Sequence, residues 1–171
     1  MKRCILAAVV ATAPVLAATS ANAITVPQGS NLSISLSGVY TTVGGGNIVP
    51  GSSLNFESAS ISFITSTGPG VDLDGLAIGS AVTISEPLNL ADSSNSGKML
   101  SFAGSSSTFT VDSTFDTLIS APGPGGVKLS SLGVFDGLDG SFEFATTSKL
   151  PSQTFQATLS VPPTVSSEIN V

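Results

Sequence analysis

Asn31-Leu32-Ser33-Ile34-Ser35-Leu36-Ser37-Gly38 alternates bulky aliphatic and small hydroxyl side chains with a period of two. Successive side chains of a strand point to opposite faces, so Leu32, Ile34 and Leu36 share one face and the serines take the other. This is the pattern of a half-buried β-strand, with Gly38 as its expected end.

The same rhythm recurs along the chain. Leu54 and Phe56 begin a second run, but Ile61 and Phe63 fall on the opposite parity, which predicts a bulge near residues 58–60. Val82 and Ile84, then Leu88 and Leu90, read as one strand that passes Pro87 only at a sheet edge. Leu100 and Phe102, then Phe109, Val111 and Phe115, continue the series. Val127 and Leu129, Leu132 and Val134, Phe142 and Phe144, and finally Phe155, Ala157, Leu159 and Val161 complete it. Turn formers separate the runs, among them Gly44-Gly45-Gly46-Asn47, Gly68-Pro69-Gly70, Asn95-Ser96-Gly97, Asp136-Gly137 and Asp139-Gly140. No amphipathic helical pattern follows residue 23. The expected fold is all-β, a single antiparallel β-sandwich, with a jelly roll or small barrel as runner-up. The nine phenylalanines are expected to supply its large core side chains.

Residues 1–23 read as a secretory signal peptide. Lys2 and Arg3 precede an apolar stretch from Ile5 to Leu16, and Ala21-Asn22-Ala23 supplies small residues at the cleavage site. Cleavage before Ile24 leaves a domain over residues 24–161 and a C-terminal tail or edge segment over residues 162–171. Cys4 leaves with the leader, so no disulfide is available and the core alone must hold the fold. The remaining ~150 residues suffice, because a chain of that size buries roughly 68–70% of its unfolded surface. The expected location is secreted, extracellular or at the cell surface, without membrane insertion.

After Ala23 there is no histidine, cysteine, tryptophan or arginine. Those residues perform most general-base, thiolate and soft-metal chemistry, so a non-enzymatic role is expected. Serine is plentiful but lacks a base: no lysine stands three residues after a serine, as a Ser-Lys nucleophile requires. Lys98, Lys128 and Lys149 face all eleven carboxylates, a balance that repels nucleic acid and anionic lipid. With 9% charged residues overall, the surface must be largely Ser, Thr, Asn and Gly.

Two constellations invite a ligand. Asp72 and Asp74, and Asp136 and Asp139, stand beside glycines in loops, where calcium could find several oxygens; no other cofactor is implied. The competing reading is that Asp-Gly simply closes a hairpin. A carboxylate pair for glycoside hydrolysis is the weakest option, since eleven scattered acids meet its spacing requirement without effort.

The alanine-rich leader resembles one family, as does the Ser/Gly/Thr body with alternating Phe. So do the stretches Gly133-Val134-Phe135-Asp136-Gly137, Gly140-Ser141-Phe142-Glu143-Phe144 and Thr154-Phe155-Gln156-Ala157-Thr158-Leu159-Ser160-Val161-Pro162. That family is the exported domains of PEP-CTERM-type bacterial surface and matrix proteins. The resemblance implies a surface or biofilm-matrix protein associated with extracellular polysaccharide. Where that family continues to Glu-Pro, an apolar segment and a basic end, this sequence has Pro163-Thr164 and a polar stretch, so its sorting anchor is not expected here.

The functional expectation is a secreted structural protein that self-associates, with filaments formed by strand addition. Its assembly edges are expected at residues 24–40 and 154–171, with Leu32, Ile34, Leu36, Leu159 and Val161 at the contact. The alternative is a carbohydrate-binding or adhesive module that uses Tyr40, Asn47 and the Asp-bearing loops.

Overall fold

The structure, a computed structural model, describes residues 24–73, 75–90, 95–119 and 126–162, with 113–119 by backbone alone. The described residues form nine strands: β1 (Asn31–Thr42), β2 (Ser53–Thr67), β3 (Val82–Ile84), β4 (Leu88–Asn89), β5 (Met99–Phe102), β6 (Thr108–Ile119), β7 (Val127–Phe135), β8 (Leu138–Thr146) and β9 (Ser152–Val161). All belong to one sheet of order β3-β5-β6-β7-β8-β9-β1-β2-β4, and every pairing is antiparallel. The all-β antiparallel expectation holds, and the strands make a single sheet curled into a half-barrel.

Strand twist and bulges produce the curl. β2 has one residue more than β1 can match at two places, Glu57 and Ser62, because Tyr40 pairs with Phe56 and Val39 with Ser58, while Leu36 pairs with Ile61 and Ser35 with Phe63. Two bulges therefore flank the segment where the parity change predicted one. Their effect on the side chains is direct. Leu54 is buried on one parity, Ala59 and Ile61 on the other, and Phe63, past the second bulge, is turned out at 55% exposure. β6 carries two further register shifts against β7, between Val111 and Ser113 and between Thr114 and Asp116.

β1 keeps the alternation of its sequence, with Leu32, Ile34 and Leu36 buried and Ser33, Ser35 and Ser37 half-buried. It does not end at Gly38. A Cβ there would lie 2.0 Å from the Ser58 carbonyl oxygen and 2.8 Å from Cε1 of Phe155, so glycine is what lets β2 and Phe155 close over the strand. Gly133 does the same in β7, where a Cβ would lie 2.1 Å from the Thr110 oxygen and 2.7 Å from Cζ of Phe109. In β7 the inward positions are Val127, Leu129, Ser131, Gly133 and Phe135, so Leu132 and Val134, expected as a core pair, are only half-buried.

The reading of residues 82–90 as one strand is corrected. Proline has no N–H for a ladder, and the segment divides at Pro87 into β3 and β4, which lie at opposite ends of the strand order.

The core is one cluster of side chains from all nine strands. Phe144, fully buried, packs edge-on to Tyr40 and Phe56, with ring centroids at 6.3 and 6.0 Å, and lies 5.3 Å from Phe155. Phe102 with Phe135 and Phe109 with Phe142 extend the aromatic packing. The core reading of the phenylalanines holds for these residues; Phe63 departs from it, and the Phe115 side chain lies outside the described residues.

Tyr40 closes the end of the core opposite to the start of β1. Its ring is fully buried, and its hydroxyl donates to the carbonyl oxygen of Leu150 at 3.0 Å. Burial raises the phenol pKa above its ordinary value, against a smaller lowering by the Thr146 and Ser148 hydroxyls. The stability this contributes is therefore present below pH ~10, the unfolded value, and is lost as pH rises through the higher folded-state pKa. Tyr40→Phe is expected to flatten the alkaline limb of a stability-versus-pH curve and to cost about 1 kcal/mol at neutral pH for the lost hydrogen bond. Urea denaturation between pH 7 and 11 measures both effects.

Candidate functional site

The two ends of the sheet approach each other without zipping shut. Ser60 of β2 bridges Ala81, just before β3, and next to that bridge the Ile61 N–H donates to Ser80 O at 3.0 Å and the Gly79 N–H to Ile61 O at 2.8 Å. From there the strands diverge around a cleft of about 510 Å³, lined by residues 56–59 and 82–86. At its far end the Glu86 carboxylate accepts a hydrogen bond from the Phe56 N–H, so a side chain stands where a neighbouring strand would offer a carbonyl. The Lys98 ammonium donates to the Glu86 backbone oxygen at 3.3 Å.

Beyond the Ser60 bridge, β2 runs on to Thr67. Among the described residues, β1 pairs with residues 63–67 on one side and no strand pairs with residues 62–67 on the other. Consecutive side chains here are exposed apart from half-buried Ile64, so both faces of this stretch meet solvent. It carries no charge and no proline; Glu57 is the one ionisable residue of β2. Phe63 and Ile78, 55% and 65% exposed, flank the Ile61–Gly79 pairing and add apolar surface beside the open edge. Folded proteins normally block such edges with lysine, proline or a covering element.

The residues expected to form the assembly contact lie elsewhere. Leu32, Ile34, Leu36, Leu159 and Val161 are all buried, and β1 pairs on one side with β2 and on the other with β9, which in turn pairs with β8. Neither strand has a free edge, so the expectation of edges at residues 24–40 and 154–171 is corrected for the described part; residues 163–171 lie outside it. Residues 24–26 are tied in as well: the Ile24 N–H donates to Ser107 Oγ at 2.7 Å, and Thr25 and Asp72 exchange backbone hydrogen bonds of 3.0 Å.

Two aspartates of the calcium expectation, Asp72 and Asp136, have backbone and turn roles. Asp72 takes part in that bridge with Thr25. Asp136, at φ 48°, forms the β7–β8 turn with Gly137, and its carboxylate accepts the Thr108 N–H at 2.9 Å. Asp139 is exposed at the start of β8. Asp74 lies outside the described residues. Among those described, no three acids come together as metal ligands. In the alternative binding constellation, Asn47 is exposed but Tyr40 is buried, so its ring offers no face to a sugar. Asn95, from the Asn-Ser-Gly-Lys stretch, is fully buried, and its side-chain amide exchanges hydrogen bonds of 2.8 and 2.7 Å with the Asn89 backbone.

Two features of this site escape a reading of the sequence. The parity change between Phe56 and Ile61 signalled a bulge, yet the second one, at Ser62, has no signature of its own, and it is what exposes Phe63. Glu86 looks like any solvated acid until the curl of the sheet brings β3 opposite β2.

No family model, no characterised protein and no solved structure matches this chain.

Proposed function

We propose that the chain is an exported, non-enzymatic structural protein of the bacterial cell surface or extracellular matrix, in keeping with its leader and with its resemblance to PEP-CTERM-type surface proteins. Its work is to self-associate by strand addition. The observation that supports this reading is the open end of the sheet, where residues 62–67 of β2 present an uncharged edge beside exposed Phe63. Strand addition draws its affinity from backbone hydrogen bonds along such an edge. The hydroxyl-rich surface is consistent with it, because few charges have to be desolvated or matched when copies meet.

Purified mature protein beginning at Ile24 is expected to show a weight-average mass that rises with concentration in multi-angle light scattering. Negative-stain microscopy of the native secreted material is expected to show ordered assemblies. A strictly monomeric species at the highest soluble concentration contradicts the reading.

A further inference from the structure

We infer that the contact between copies is an antiparallel pairing of residues 63–67 of β2 with the same residues of a second copy, about a two-fold axis at Thr65. This rests on the self-association reading and names its interface. Among the described residues the unpaired stretch is bounded by Ile61, whose outward groups are taken by Gly79 and Ser80, and by the strand end at Thr67 before Gly68-Pro69. The middle of residues 63–67 is Thr65. An axis there sets Thr65 opposite Thr65, Ile64 opposite Ser66, and Phe63 opposite Thr67 of the other copy.

Three observations favour a second copy as the occupant. The stretch is self-complementary in charge, because it has none, so two strongly acidic chains meet without carboxylates opposed. Thr–Thr and aromatic–β-branched cross-strand pairs, which this register creates, are among the favourable ones, each contributing roughly 0.2–1 kcal/mol. An exposed apolar pair, Phe63 and Ile78, borders the edge and gains cover when the sheet continues across the axis. A two-fold contact uses the same patch on both copies, the commonest symmetry of soluble oligomers. By itself it closes at two copies; larger assemblies require a second contact.

A single strand pair covers less than the ~1,200 Å² of an ordinary stable interface, so the dimer is weak and is best trapped covalently. The mature chain has no cysteine of its own, which makes an introduced one diagnostic. Under mild oxidation, mature Thr65→Cys is expected to form disulfide dimers at least tenfold faster than Gln156→Cys, whose exposed position lies in the interior strand β9. Thr65→Lys is expected to lower the light-scattering mass to that of a monomer, with its circular-dichroism spectrum and melting temperature unchanged. If wild-type protein self-associates but the two cysteine variants cross-link equally, or Thr65→Lys associates as wild type does, this interface is wrong while self-association stands. If wild-type protein never associates, both fall.

Discussion

Replacing Phe144 with alanine is expected to destabilise the fold by roughly 3–5 kcal/mol, the range for removing a fully buried phenylalanine. Phe144 touches the rings of Tyr40, Phe56 and Phe155, so its loss leaves a cavity bordered by three aromatic side chains fixed by their own strands. Those strands are β1, β2 and β9, each held in the ladder, and the site has little freedom to collapse. A domain of this size has about 5–15 kcal/mol in all, so the variant should unfold at a much lower urea concentration or fail to accumulate. Phe144→Leu, which keeps most of the volume, should lose distinctly less. A cost below about 1 kcal/mol for the alanine variant, on a scale where most point mutations destabilise by 0.5–3, contradicts the packing described here.

Adding one methyl group at Gly38 is expected to be nearly as damaging, for the opposite reason. The new Cβ would sit 2.0 Å from a backbone oxygen of β2, and no rotamer change moves that atom away. Either β1 and β2 separate, breaking ladder bonds, or the strand bends and Phe155 is displaced. Overpacking of a well-packed core costs typically 1–3 kcal/mol, and a backbone clash belongs at or above the top of that range. Gly46→Ala supplies the control, since a Cβ there meets nothing within 4 Å. That variant is expected to keep the wild-type urea midpoint, while Gly38→Ala shifts it strongly downward. Equal midpoints for the two contradict the close approach of β2 and Phe155 to Gly38.

Gly38 also illustrates what the sequence conceals. Period-two alternation at Leu32, Ile34 and Leu36 is a local consequence of strand geometry, and it was legible. So were β5, β8 and β9, where bulky residues and alternation agree. Gly38 ends the apolar run in sequence, yet in space it continues the strand, because what matters is a ring from β9 that no local pattern announces. Leu132 and Val134 mislead in the reverse direction: their bulk suggests a core pair, whereas Ser131 and Gly133 hold the inward positions, Gly133 close under Phe109.

The candidate site was less legible than the fold. Strand order is a long-range property, and the edge assignment failed on it: β1 and β9 stand far apart in the chain but side by side in the sheet, which buries the edges of both. Among the described residues the open edge instead belongs to β2, and its exposure depends on how far the sheet curls before Ser60 meets Ala81. Calcium at the Asp-Gly turns remains an expectation of composition; Asp136 serves the backbone of Thr108 in the structure.

Hydrogen exchange of the mature protein, read by mass spectrometry at low and at high concentration, tests the account most directly. Amides of β1 and β9 should be strongly protected at both concentrations, as interior strands are. Those of residues 62–67 that point away from β1 should exchange quickly in dilute protein and slow markedly as it is concentrated. Residues 62–67 exchanging alike at both concentrations, or β1 exchanging as fast as an edge, would contradict it.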